Sequence, residues 1–159
     1  MRKQKIYLET TLFNHYFDDD RGIAHASTVA LFKEIAACKY EAFTSSMVIE
    51  ELYRAETEKY EKMFSLISKY NIAVINVSEE AEKLADVYVF EQIIPQKYRA
   101  DGVHIAVATV NDLDIIISMN FQHIVKRKTK IGIGSINALN GYRNIDISSP
   151  MEVVENEIN

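Results

Sequence analysis

The sequence predicts an α/β domain: three layers, α/β/α, around a central and mostly parallel sheet. Three observations carry this. Short β-prone runs alternate with segments of helical periodicity along the whole chain, the pattern of linked β-α-β units. The run Ile115-Ile116-Ile117 is apolar at every position, as a strand covered on both faces requires. The 159 residues suffice for one core, and no linker, repeat or low-complexity stretch divides them. The expected organisation is a single domain over residues 1–150 and a polar tail over residues 151–159.

Taken in order, Lys5 to Glu9 is a β-prone run that ends on an acid, followed by the hydroxyls Thr10 and Thr11. Leu12 to Phe17 reads as a helical turn, and Asp18-Asp19-Asp20-Arg21-Gly22 as a solvated loop without calcium-loop spacing. Ser27 or Thr28 is expected to cap a helix running to about Lys39, with Val29, Phe32, Ile35 and Ala36 inward. Cys38 at its end is expected to be a small buried hydrophobe. Tyr40 to Thr44 is the next strand. Ser45 or Ser46 then caps a helix in which Val48, Ile49, Leu52 and Tyr53 recur at helical spacing, with Glu50 and Glu51 in its first turns. A further helix carries the stripe Tyr60, Met63, Phe64 and Ile67.

Ile72 to Ile75 is a strand, and Ser78-Glu79-Glu80 opens a helix whose early acids suit its dipole. Pro95 ends that helix. Asp101 and His104 then share one face at the head of an apolar helix. The isoleucine strand ends in Ser118-Met119-Asn120, Phe121 to Val125 turns, and Lys126-Arg127-Lys128 with Lys130 follows as a loop, either merely solvated or contacting phosphate. Ile133 to Leu139 is expected to be helical, closed by Gly141 in a left-handed cap. Ile145-Asp146-Ile147 is the last strand. Gly132-Ile133-Gly134 lacks the third glycine, the preceding strand and the distal acid of a dinucleotide loop.

Composition narrows the function classes. The chain is 48% hydrophobic and 26% charged, with no apolar run long enough to span a bilayer. Its basic start (Arg2, Lys3, Lys5) gives way at Glu9, too early for a signal peptide, so a cytoplasmic protein is expected. One cysteine excludes an intrachain disulfide and a cysteine-based zinc site. A net charge of −5 argues against binding nucleic acid by bulk field, while leaving room for a local basic patch.

Glu9 ends a strand, Glu51 lies early in a helix after a strand, and Asp101 opens a buried helix. In a parallel α/β sheet the strand C-termini and helix N-termini share one rim, so the three carboxylates can meet there. Gathered carboxylates repel one another unless a cation neutralises them. A ligand set of oxygens favours Mg²⁺ or Mn²⁺ over zinc. Such a cluster can activate water and stabilise charge on a phosphodiester. Each residue also has a plainer reading. Glu9 could be a turn residue, Glu50 could replace Glu51 as the inward acid, Asp101 could simply cap its helix, and His104 could be a half-buried structural histidine.

The ordered blocks Ile6-Tyr7-Leu8-Glu9-Thr10-Thr11, Ser45 to Glu51-Leu52, Asp101-Gly102-Val103-His104-Ile105-Ala106 and Ser118-Met119-Asn120 give the chain a resemblance to the PIN-domain family. That family includes ribonuclease toxins of bacterial toxin–antitoxin pairs. The resemblance spans residues 5 to about 125 and implies a Mg²⁺-dependent (or Mn²⁺-dependent) endoribonuclease whose activated water hydrolyses RNA. It places Glu9, Glu51 and Asp101 at metal-ligand positions and Thr10, Thr11 and Ser118 as their hydrogen-bonding support. Asn120 takes the fourth site position, and Lys126, Arg127 and Lys128 would hold the RNA backbone. The partners it implies are RNA, an antitoxin protein lying across the acidic groove, and a second copy in a homodimer.

Two departures matter. Glu9 stands where the family usually has Asp, and Asn120 where it usually has an acid. An amide oxygen carries no charge, which weakens metal binding and favours one ion over two. The rival expectation is a PIN-like module, weakened in catalysis, that binds RNA or protein.

Overall fold

The computed structural model describes residues 2–155. Its centre is a five-stranded parallel sheet: β1 (Gln4–Leu8), β2 (Tyr40–Ser45), β3 (Ala73–Ile75), β4 (Ile115–Ile117) and β5 (Asp146–Ser148), in the order β3-β2-β1-β4-β5. Ile6, Tyr7 and Leu8 of the central strand have no exposed surface, although neighbouring side chains on a strand point to opposite faces. Helices therefore cover both faces, giving three α/β/α layers. The all-isoleucine β4 is buried throughout for the same reason.

The chain leaves β1 to build one side of the sheet and returns at β4 to build the other. The switch point thus lies between β1 and β4, paired in register as Ile6 with Ile115 and Leu8 with Ile117. Clefts in such folds form at this point, beyond the strand C-termini.

Among the described residues eight α-helices surround the sheet: α1 (Thr10–Phe17), α2 (Ile23–Ala36), α3 (Ser46–Tyr53), α4 (Thr57–Lys69), α5 (Glu79–Phe90), α6 (Arg99–Val110), α7 (Arg127–Leu139) and the short α8 (Pro150–Val153). A 3₁₀ turn, Gln96–Tyr98, leads into α6. Ser45 and Ser78 cap α3 and α5, accepting from Val48 N–H and Ala81 N–H. Helix α6 is buried from Gly102 to Thr109 and packs against α5 and β4, and its first turn meets Ile94 and Ala85 through Gly102. No helix among the described residues is long and apolar enough to cross a membrane.

Several local expectations are corrected. Helix α2 starts at Ile23, and Ser27 and Thr28 lie inside it, donating to the carbonyls of Ile23 and Ala24 at 2.7 and 2.8 Å. That bond to the preceding turn lets a hydroxyl residue sit buried mid-helix. Cys38 is exposed, because it occupies the turn after α2 in the left-handed region (φ 63°). In α4 the buried positions are Met63 and Leu66, while Phe64 is 42% exposed. The basic cluster is no loop: Lys126 is the N-cap position of α7, and Arg127, Lys128 and Lys130 are its first turns. Gly132 inside α7 meets Ile93 so closely that an added Cβ would stand 2.8 Å from it. This glycine serves helix packing.

The segment expected as a polar tail begins with a folded turn. Helix α8 packs on α2, and Glu155 N–H donates to Glu34 at 3.0 Å. The remaining tail, residues 156–159, lies outside the described residues.

Candidate active site

The loops after β1 and β4 are stitched together at the switch point by the carboxylate of Glu9. As the N-cap of α1, it accepts from Thr11 N–H at 3.2 Å and from the Thr11 hydroxyl at 2.5 Å. The Ser118 hydroxyl donates to the same oxygen at 2.7 Å. Both hydroxyls also accept: Thr11 Oγ1 from Met119 N–H and Ser118 Oγ from Asn120 N–H, each at 2.9 Å. Glu9 is only 4% exposed, and these donors satisfy its buried carboxylate.

Glu51 reaches the same rim from α3. Its Oε1 accepts from the Thr10 hydroxyl at 3.0 Å and from His104 Nε2 at 2.5 Å. Because a carboxylate only accepts, the Nε2 proton lies on the histidine side of this contact. His104 is wholly buried, and its Nδ1 sits 2.6 Å from the Tyr7 hydroxyl, which lies 2.7 Å from Ser45 Oγ. A polar chain thus runs Glu51–His104–Tyr7–Ser45 through α3, α6, β1 and β2, and ends on the residue that caps α3. Burial pushes Glu51 up, but the His104 bond and charge outweigh it and hold the carboxyl below its usual range. Burial pushes His104 down, but the bond to Glu51 and the charges of Glu9, Glu51 and Asp101 leave it above the usual histidine value. Burial drives the Tyr7 hydroxyl far up, so it stays protonated.

Asp101 differs. It stands half-buried in the first turn of α6 and accepts no hydrogen bond among the described residues. Capping does not explain it, since the N-cap of α6 is Tyr98 and no side chain caps there. Burial raises its carboxyl first, and the negative charge of Glu9 and then Glu51 raises it further, against the opposing pull of His104 and His123. Asp101 thus lies within electrostatic reach of both Glu9 and Glu51. As placed, they do not close into a preformed three-ligand metal cluster among the described residues. Glu51 is instead drawn to His104 and Thr10.

Of the two neighbouring acids on α3, Glu50 is exposed and Glu51 takes part in the network. Asn120 accepts His123 N–H at 3.0 Å through Oδ1, and so shapes the turn after β4. Lys126, Arg127 and Lys128 are exposed on the segment leaving that turn. Among the described residues none of the three makes an ion pair. Sequence reasoning missed three members of this region. Tyr7 read as an ordinary strand aromatic, although it lies within a quoted motif. Tyr98 and His123 stack with ring centroids 3.8 Å apart, and nothing in their spacing announces the pair.

No protein-family model and no curated protein matches the chain. Solved structures do. VapBC2 from Rickettsia felis, solved bound to a DNA fragment from its promoter, matches with a TM-score of 0.59 at 12% identity, over 92% of this chain and 98% of that one. The Mycobacterium tuberculosis toxin VapC20, described as cleaving the Sarcin-Ricin loop, matches with a TM-score of 0.56 at 13% identity, over 88% and 98%. Both matches cover almost the whole chain, so the likeness is one of overall fold. The chain has a PIN-like fold.

Proposed function

We propose that this chain is a Mg²⁺- or Mn²⁺-dependent endoribonuclease of the PIN class, acting in the cytoplasm on RNA phosphodiesters. The observation that carries the reading is Asp101: a half-buried acid with no hydrogen-bond partner, held beside Glu9 and Glu51 at the switch point. The donor set fits a hard divalent cation, being anionic oxygen without cysteine. Glu9, Glu51 and Asp101 would hold the ion, with the Asn120 amide oxygen as an uncharged fourth donor. Such an ion, when bound, supplies Lewis-acid activation of water and neutralises phosphodiester charge.

The chain's own residues do the rest. Thr11 and Ser118 fix the Glu9 carboxylate, while Thr10 and His104 fix Glu51. His104 acts through Glu51 as a positioning residue. Lys126, Arg127 and Lys128, exposed beyond the turn after β4, would contact phosphates and give a salt-dependent component of binding. The likeness to VapBC2 and VapC20 supports an antitoxin protein as partner, seated across the acidic groove, and the resemblance extends to a homodimer.

Asn120 favours a second reading, a PIN-like module weakened in catalysis that binds RNA or protein. Cleavage of single-stranded RNA with Mg²⁺ or Mn²⁺ separates the two, comparing the parent with Asp101→Asn and Asn120→Asp. The nuclease reading expects the parent to cut and Asp101→Asn not to. An inert parent beside an active Asn120→Asp protein establishes the weakened module instead.

A further inference from the structure

We infer that Tyr98 and His123 form a stacking platform for one nucleobase of single-stranded RNA, at the rim of the carboxylate site. The inference rests on the RNA reading of that site and adds how the strand is gripped. Four observations support it. The rings are stacked in near-parallel planes, 25° apart with centroids at 3.8 Å, and Tyr98 is 37% exposed. The stack joins the two segments that flank the candidate site. Tyr98 is the N-cap position of α6, three residues before Asp101, and His123 follows Asn120 in the turn after β4. His123 also lies close enough to Asp101 to affect its ionisation.

The third observation is Phe121, 46% exposed two residues before His123, an apolar ring in the same turn. The fourth is charge. Exposed Lys97 holds its ammonium 5.7 Å from the Tyr98 ring centre, and exposed Lys126, Arg127 and Lys128 follow the turn. Aromatic faces that carry bases, interleaved with cations that carry phosphates, are how proteins hold single strands without reading sequence. A base seated on Tyr98 displaces the flexible Lys97 side chain toward a phosphate. Its backbone then runs between the basic start of α7 and the carboxylates. Every base has a π-face, so the platform selects unstacked, single-stranded RNA over duplex and is tolerant of base identity.

The test is the affinity of a fluorescent hexaribonucleotide for the full chain in an Asp101→Asn background with Mg²⁺, where cleavage cannot intervene. A single abasic residue is moved through the six positions. With Tyr98 present, one abasic position is expected to weaken binding about tenfold. Tyr98→Leu keeps apolar cover over His123 but has no π-face, and should weaken the intact oligonucleotide by a similar factor while abolishing the abasic effect. Tyr98→Phe should restore both, and Phe121→Ala tests the neighbouring ring without disturbing the stack. An abasic penalty unchanged by Tyr98→Leu overturns the platform. So does binding of equal strength at every abasic position, or no binding of the hexamer at all. If the parent cleaves RNA while Tyr98→Leu leaves KM unchanged, the platform falls and the nuclease reading stands. If the parent is inert yet shows the Tyr98-dependent abasic effect, the nuclease reading falls and the platform stands.

Discussion

Asp114 and Asp101 sit at opposite ends of the sheet and show what the fold does with an acid at each. Asp114 precedes β4 at the N-terminal end. Its side chain is 9% exposed, but Lys5 N–H reaches it at 2.7 Å and the guanidinium groups of Arg2 and Arg143 at 2.9 and 3.0 Å. Burial pushes its carboxyl up, and these donors more than reverse that, leaving it below its usual range. Asp101 at the C-terminal end meets only burial and like charge on the raising side, and stays above its usual range. One acid is satisfied by the protein and closes the end of a strand pair. The other accepts no hydrogen bond among the described residues, and under the proposed function it is the carboxylate kept for the reaction while Asp114 serves the architecture.

The sharpest way to break the comparison is to neutralise both acids in turn. Asp101→Asn is expected to lower Mg²⁺-dependent RNA cleavage by about a thousandfold, since it removes a charge meant for the cation. Its thermal midpoint should not fall, because the lost charge repels Glu9 and Glu51. A drop in melting temperature with cleavage intact would place Asp101 in the architectural class beside Asp114.

His104 tests whether the C-terminal end is held by a network of its own. His104→Leu leaves Tyr7 and Glu51 without the partner that joins them, and breaking such a buried contact is expected to cost about 3 kcal/mol. Denaturant unfolding measures it. Cleavage by the surviving folded protein should fall through loss of Glu51 placement, and His104→Gln, which keeps a donor, should recover part of the stability. If His104→Leu unfolds at the parental midpoint, the polar chain from Glu51 to Ser45 contributes nothing and the site is held by packing alone.

What the sequence revealed of this site follows from how local each cause is. Strand β4 is legible because three successive isoleucines, β-branched and apolar in a short run, favour a strand covered on both faces. Glu51 is preferred over Glu50 by the resemblance, whose pattern sets an acid six residues after a serine, here Ser45. The Glu51–His104–Tyr7 contacts cross 53 and 97 positions of chain, so no local pattern encodes them. The start of α2 was misread for a different reason. Ser27 and Thr28 are the residues that cap helices, and only the backbone upstream shows that they bond backwards. The first turns of α7 were read as a loop since Lys-Arg-Lys-Thr-Lys offers one buried residue, Thr129, whose hydroxyl donates to the His123 carbonyl at 2.9 Å.

At the satisfied end, Asp114→Asn removes the charge and one of the two oxygens that accept from Lys5, Arg2 and Arg143, and is expected to cost about 2 kcal/mol, leaving the activity of folded protein unchanged. Unfolding in urea beside a cleavage assay reads both. Loss of cleavage without loss of stability would reverse the roles assigned to the two ends.

The smallest effect is the pH dependence of Asp114. Its carboxyl is depressed in the folded chain, so its stabilisation is present above the ordinary Asp value of about 3.9 and is lost as pH falls through the folded value. Arg143→Gln removes one of the groups responsible for that depression. At pH 7 the variant should be less stable by under about 1 kcal/mol, because Arg143 is 49% exposed and its pairing is screened. As the pH is lowered the parent and variant curves should converge, meeting below the folded value, where Asp114 is protonated in every state. Raised salt should narrow the gap at pH 7 but leave the acid end unmoved. A gap that persists into acid would mean that Arg143 stabilises the strand end through its bond to the Asp112 carbonyl at 2.6 Å, and not through the charge of Asp114.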